Sequence, residues 1–317
     1  MPKKIIIDTD PGVDDAMAIL FALNSPELAV VGLTTIFGNV STPLATQNAL
    51  RLVELAGRPE APVAHGAERP LVAPLKAVPD FVHGADGLGN VNLPPPLGQP
   101  IDQPAAQFIV ETVMAQPGQI TLAPIGPLTN LALALALEPR LAENVAEVVL
   151  MGGAATVNGN VTPAAEANMI CDPHAADVVF TAGWPVTMVG LDVTMQTVMS
   201  DAYLASLKAA GSTTARFIHD ISRFYRDFHY QFHGLAGAHT HDPSAIAYLI
   251  DPTLFTTIRG PIRVITEGMA AGQTLLDRRQ YWHNSNAWSN QPATNVCLTV
   301  DSERLLTLYQ QRITAAL

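Results

Sequence analysis

The stretch from Ile5 to Leu20, IIIDTDPGVDDAMAIL, constrains most what this chain can fold into. Three β-branched residues, Ile5 to Ile7, suit a short buried strand. Pro11 and Gly12 then impose a turn, Pro by fixing φ and Gly by admitting conformations closed to other residues. From there apolar residues recur at Ala16, Ile19, Leu20 and Leu23, the spacing of one helical face. Strand, turn and helix in this order predict an α/β fold. Open sheets of that kind place their ligands at the carboxyl ends of the strands.

The turn carries four carboxylates: Asp8, Asp10, Asp14 and Asp15. An acid at a helix start is ordinarily a cap or a partner of the helix dipole, which accounts for Asp14 and Asp15. Asp8 and Asp10, at the end of the strand, have no such explanation. Four acids this close repel unless positive charge sits among them. A hard divalent cation that prefers oxygen, Ca²⁺ or Mg²⁺, supplies it economically.

The rest of the chain alternates strand and helix. Ala29 to Phe37 reads as a strand and Thr42 to Gly57 as a helix; Gln103 to Gln116 is a helix and Gln119 to Ala123 a strand. Ala146 to Met151 is a strand, Asp172 to Ala182 a helix, and Pro185 to Val193 a strand. Helices follow at Thr213 to His233, Asp242 to Ile250 and from Asp301. This pattern predicts a mostly parallel open sheet with helices on both faces, in a single domain over residues 1–317. Pro59 to Gly98, rich in Pro and Gly, reads as a long functional loop and carries His83. No GxGxxG joins a strand to a helix, so a dinucleotide fold is excluded.

A formal charge of -11 argues against nucleic acid, whose phosphates need a basic face. No apolar run approaches the roughly 18 residues of a membrane span. Lys3 and Lys4 precede only three apolar residues, too few for a signal peptide. The two cysteines, Cys171 and Cys297, have no metal-ligand spacing. A cytoplasmic protein is expected.

DTDPGVDDAMAI, followed in order by LAPIGPLTN, VVLMGG, NVTPAAEAN and HDPSAIAYL, resembles the inosine-uridine-type nucleoside hydrolases. Those enzymes cleave ribonucleosides to base and ribose at a Ca²⁺ site. The resemblance runs from Ile5 to about Leu254 and implies several roles. Asp10, Asp15, Asp242 and the carbonyl of Ile125 would hold Ca²⁺. Members often carry Thr at the Ile125 position, a change that a carbonyl ligand survives. Asp14 and Asn168 would hold the 2′- and 3′-hydroxyls, and Asn160 and Glu166 the 5′-hydroxyl. Met151 would line the ribose and Asn39 would position it. Ala167 stands where members commonly carry Phe, which implies a looser sugar pocket. Asp10 would deprotonate a water held by the cation, and His241 would protonate the leaving base. The partner is a small ribonucleoside, and a homodimer or homotetramer is implied.

The chain has nine histidines, most of which need no special role. His65, His174, His219 and His283 are read as surface or satisfied core residues. His83, in the long loop, is expected to face the substrate. His229 and His233 are four apart on one helix face; the resemblance implies base contact there, because similar hydrolases often carry base-contacting side chains at those positions. His239-Thr-His241-Asp242 also has the spacing of a zinc HxH motif. No Cys or third His stands at a matching spacing, and the acids elsewhere prefer a harder ion. Two other readings compete. IIIDTDPGV also resembles the opening of haloacid dehalogenase-type phosphatases, with Asp8 as nucleophile, Asp10 as acid/base and Mg²⁺ as metal. A non-catalytic nucleoside-binding protein is the other.

Overall fold

The computed structural model describes residues 1–279 and 287–315. His283 lies outside the described residues. Eleven strands are present among those described: β1 (Lys3–Thr9), β2 (Leu28–Thr35), β3 (Val63–Ala64), β4 (Ile120–Pro124), β5 (Glu147–Met151) and β6 (Val186–Val189). These are followed by β7 (Val198–Ser200), β8 (Gly237–His239), β9 (Phe255–Val264), β10 (Thr274–Leu276) and β11 (Ala293–Val300). Nine of them form one sheet in the order β10-β9-β11-β6-β5-β4-β1-β2-β3, and β7 pairs with β8 separately.

From β3 to β11 every pairing is parallel; β9 runs antiparallel to both β10 and β11, and β10 forms the edge. The expected parallel sheet is therefore present, with an antiparallel border. Its central strand shows why it is central. Ile5 and Ile7 point into one apolar layer and Ile6 into the other, all three fully buried. Burial of each such side chain contributes roughly 1.5–3 kcal/mol.

Helices cover both faces. Helices Val13–Leu23, Thr42–Leu55, Thr213–His233 and Asp242–Ile250 pack on the side of Ile5 and Ile7. Helices Ala105–Ala115, Thr129–Leu137 and Pro173–Thr181 pack on the side of Ile6. Two expectations need correction. Pro185 to Val193 is not one strand: β6 ends at Val189 and Gly190 caps the short helix Leu191–Thr194. A Cβ at Gly190 would lie 2.7 Å from the Gly153 carbonyl, so the loop after β5 crosses there and the strand cannot continue. The long segment Pro59 to Gly98 is also not wholly irregular, because it contains β3 and the turn of helix Asp80–His83.

Among the described residues no helix is long and apolar enough to cross a membrane.

Candidate active site

Parallel strands bring their carboxyl ends to one edge, and the candidate residues lie along it. Asp10 follows β1, Asn39 follows β2, Ile125 follows β4, and Met151 ends β5. Helix Val13–Leu23 packs against helix Asp242–Ile250, so two N-termini lie side by side. Asp14 and Asp15 begin the first helix and Asp242 the second, where partial positive charge favours carboxylates.

Asp14, Asp15 and Asp242 each place one carboxylate oxygen within 4.8 Å of the others'. Asp14 thus joins this group, whereas Asp10 stands beside it. Asp10 is held by two close glycines: a Cβ at Gly126 would lie 2.4 Å from Asp10 Oδ1, and one at Gly38 would lie 2.0 Å from Oδ2. Asp10 Oδ2 accepts a 2.6 Å hydrogen bond from the Asn39 amide, while Oδ1 is buried without a partner. Asp15 accepts from Thr9 Oγ1, from the Asp10 and Gly12 amides and from Asn39 Nδ2. Asp14 Oδ2 accepts from Tyr225 Oη at 3.1 Å, and Oδ1 has no hydrogen-bond partner.

Burial raises all four carboxyls from their ordinary range, Asp14 to about 6 and Asp10 and Asp242 well above. The charge of Asp15 adds to the rise at Asp10, and those of Asp14 and Asp15 to the rise at Asp242. Among the described residues no Lys or Arg lines the cavity that Asp14 and Asp242 face; Asp10 borders an adjoining compartment that Lys76 also lines. Buried orphan oxygens, mutual repulsion and the absence of a protein cation from that cavity fit a bound divalent ion with oxygen ligands.

The cavity measures ≈ 460 Å³, within the range of small-molecule sites. It brings together Asp14, Asn39, His83, Ile125, Met151, Asn160, Glu166, Asn168, His229, His233, His241 and Asp242. Asn168 Nδ2 donates to the Ile125 carbonyl at 2.8 Å and to the Met151 carbonyl at 3.2 Å, pinning the two strand ends. Glu166 caps the helix Ala167–Cys171, accepting from the Asn168 and Met169 amides and from Gly153. Asn160 Oδ1 accepts from the Ala167 amide. Ala167, Asn168 and Asn39 also border an adjoining apolar compartment of ≈ 390 Å³ that reaches Asp10.

Imidazoles line the cavity too. His241 Nδ1 lies 2.8 Å from Thr194 Oγ1, and burial holds the ring well below its ordinary pKa. His83 is 4 % exposed, accepts from the Val13 amide through Nδ1 and stacks on Tyr225. Burial lowers it to about 4. Both His229 and His233 reach the cavity; His229 is buried and His233 sits exposed at the rim. His239 lines the cavity as well, whereas His65, which bonds Thr46 and Glu68, His219, which bonds Asp220, and His174 stay out of it.

Tyr225, Phe228 and Thr194 were not singled out from sequence. Tyr225 shares a helix face with His229, a spacing that could have found it; Thr194 gave no signal. Asp8 is the opposite case. It is 1 % exposed and accepts from Thr34 Oγ1 and Asn130 Nδ2, tying β1 to β2 and to helix Thr129–Leu137. Burial pushes its carboxyl up to about 7. Asp8 does not line the cavity, so the phosphatase reading loses its nucleophile.

An acidic cluster fit for a hard cation, facing imidazoles across a cavity open at its rim, is the arrangement of a metal-dependent hydrolase of a small polar molecule. Residues 5–307 match the family described as inosine-uridine preferring nucleoside hydrolase, and the chain belongs to that family. It is 48% identical over 313 residues to a probable uridine nucleosidase of Arabidopsis thaliana, covering 98% of this chain and 97% of that one. It is 43% identical over 282 residues to the inosine-uridine preferring nucleoside hydrolase of Leishmania major, covering 88% and 89% of the two. A solved plant nucleoside hydrolase superposes with a TM-score of 0.98 at 44% identity, over 100% of both chains. The protein is a ribonucleoside hydrolase.

Proposed function

We propose that the enzyme is Ca²⁺-dependent and hydrolyses the N-glycosidic bond of uridine and inosine-type ribonucleosides. The buried acidic group around Asp14, Asp15 and Asp242, without any cationic side chain beside it, carries this reading. Asp10, Asp15, Asp242 and the Ile125 carbonyl would hold the ion, with Asp14 near enough to share it. When bound, Ca²⁺ supplies positive charge that lowers the pKa of a nearby water and anchors oxygen ligands.

The chain's own residues do the rest. Asp14 and Asn168 hold the 2′- and 3′-hydroxyls; Asn160 and Glu166 hold the 5′-hydroxyl; Met151 and Asn39 shape the sugar's seat. Asp10 accepts the proton of the attacking water. As the bond breaks, positive charge grows on the sugar, where buried carboxylates favour it. Negative charge grows on the base, beside His241. His241 is neutral in the free protein; as negative charge develops on the base its ring takes up a proton from solvent water and passes it to the leaving base, returning to the neutral form. His83, His229 and His233 bound the base.

The test is release of free ribose from uridine and inosine, with Ca²⁺ and after chelation. Turnover that survives complete chelation would sink the cation's role; no ribose from either nucleoside would sink the substrate assignment. The resemblance also supports a cytoplasmic homodimer or homotetramer acting as one domain, which light scattering and limited proteolysis would measure.

A further inference from the structure

One short helical turn, Leu191–Thr194, is bonded to both ends of the site. It packs on β6, β11 and helix Asp242–Ile250, and none of its residues is more than 5 % exposed. Side chains locked by such packing hold what they touch in one place. Neither Asp192 nor Thr194 lines the cavity, so both act only through the groups they bond.

Thr194 bonds towards the base end. Its Oγ1 lies 2.8 Å from His241 Nδ1, which occupies that nitrogen and leaves Nε2 as the one to meet the base. A hydroxyl both donates and accepts, so it suits the ring whichever way Nδ1 is used.

Asp192 bonds towards the sugar end. Its Oδ2 accepts from the Ala155 amide at 2.7 Å, and its Oδ1 from the Thr156 amide at 2.7 Å and Thr156 Oγ1 at 2.5 Å. The Leu191 amide adds a 2.9 Å bond to the Gly153 carbonyl. The Gly153 amide in turn donates to Glu166 Oε2 at 3.0 Å. The loop over residues 153–166 is thus fastened to the turn at its start and closed on itself at Glu166. Residues 156–158, 160 and 161 are exposed, so apolar burial does little to hold the stretch that carries Asn160. The bonds to Asp192 take over that task.

We propose that this turn is the positioning element of the active site: Thr194 aims His241 at the base, and Asp192 sets the loop that presents Asn160 and Glu166 to the 5′-hydroxyl. The inference rests on the roles given above to His241 and to the loop, and adds what places them. Because the two arms leave the turn in different directions, they fail separately.

Inosine, 5′-deoxyinosine and a nitrophenyl riboside separate the arms, with His241→Ala as the reference and a melting curve for each variant. Thr194→Val, nearly the same in size, should lower kcat on inosine by about 10²-fold, the cost of misplacing a reacting group by roughly 1 Å. It should hardly affect the nitrophenyl riboside or the preference for inosine over 5′-deoxyinosine. Thr194→Ser returns the hydroxyl and should recover most of the loss; Thr194→Ala serves if the Val variant does not fold. Asp192→Asn turns an NH2 group towards N–H donors. It should shrink the kcat/KM ratio of inosine to 5′-deoxyinosine by about 10-fold, the scale of one hydrogen bond, and keep the leaving-group dependence of the unaltered enzyme. Thr156→Val, which removes a single bond to Asp192, should shift the same ratio less and serves if Asp192→Asn does not fold. Equal losses on inosine and the nitrophenyl riboside in Thr194→Val, no recovery in Thr194→Ser, or an unchanged ratio in folded Asp192→Asn would overturn the proposal. A His241→Ala variant without leaving-group dependence would remove the role of His241 itself, and the Thr194 arm with it; dependence there but not in Thr194→Val would remove the positioning alone.

Discussion

At the scale of single residues, Asp10 is placed by what its neighbours lack. Gly126 leaves the room that Oδ1 occupies, and Gly126 is not at a positive φ, so alanine is backbone-compatible there and only space is at issue. Gly126→Ala should displace the Asp10 carboxylate by about 1 Å and cost about 10²-fold in kcat. Steady-state kinetics together with a melting curve would check this; a folded variant of undiminished kcat would refute it. His241 is tested through its leaving group. His241→Ala should slow inosine by roughly 10²–10⁴-fold yet hardly affect a nitrophenyl riboside, whose leaving group departs unaided. Equal losses would mean that His241 shapes the pocket and donates nothing. The sugar contacts make a third case. Without a 2′-hydroxyl, Asp14 and Asn168 keep unpaired buried groups, so deoxyuridine should be rejected by up to roughly 10⁴ relative to uridine. Comparable kcat/KM for the two would remove both residues from the sugar.

At the scale of elements, helix Thr213–His233 does more than its sequence pattern suggested. It runs over the predicted residues and presents Tyr225 and His229 to the cavity one turn apart. Tyr225 reaches across to Asp14 on another helix, and His83 stacks on its ring. Tyr225→Phe removes a hydrogen bond to a carboxylate, worth about 1.5–3 kcal/mol, and should lower kcat/KM by about 10–100-fold. Comparing Ca²⁺ affinity in the same variant shows whether the loss acts through Asp14's share of the ion. Elements with strong periodicity were legible from sequence in this way: Asp242–Ile250 and Thr213–His233 have the expected bounds, and β1 follows from three isoleucines. The antiparallel border β9, β10 and β11 was not read. β9 mixes Arg, Thr, Gly and Pro with irregularly spaced buried positions, β10 is three residues long, and β11 breaks its alternation at Val296 and Cys297, so no period stands out. The strand-end candidates Asp10, Asn39, Ile125 and Met151 were legible because a parallel sheet must collect its strand ends at one edge, whereas Asn160, Glu166, Asn168, His241 and Asp242 came through the family resemblance. Contacts made between elements, such as Thr194 with His241, leave no trace in linear spacing.

At the scale of the whole molecule, the acids tie stability to pH and to the cation. A buried carboxyl whose folded pKa is raised holds a proton that the unfolded chain, titrating near 3.9, has already lost. Such a group makes the fold less stable as pH rises through the window between the two values. Asp8 at about 7, Asp14 at about 6, and Asp10 and Asp242 well above the ordinary range act in this sense. His83, His229 and His239, lowered to about 4, act oppositely, because the unfolded chain binds their protons first as pH falls. Their effect is confined below about pH 6.5, the ordinary imidazole value. From there upward the acids alone decide, and the cation-free protein should lose stability from pH 6.5 to 8. A Ca²⁺ held by Asp10, Asp15 and Asp242 would favour their charged forms and offset the part of that loss which they contribute, while the part owed to Asp8, at about 7, would remain. At 100 times its Kd the ion contributes about 2.7 kcal/mol, or about 5 °C in Tm. Calorimetry with saturating Ca²⁺ and with chelator, at pH 6.5 and pH 8, should therefore show a larger Tm gain from Ca²⁺ at the higher pH. An equal or smaller gain at pH 8 would mean that these carboxylates are not the ones the ion neutralises.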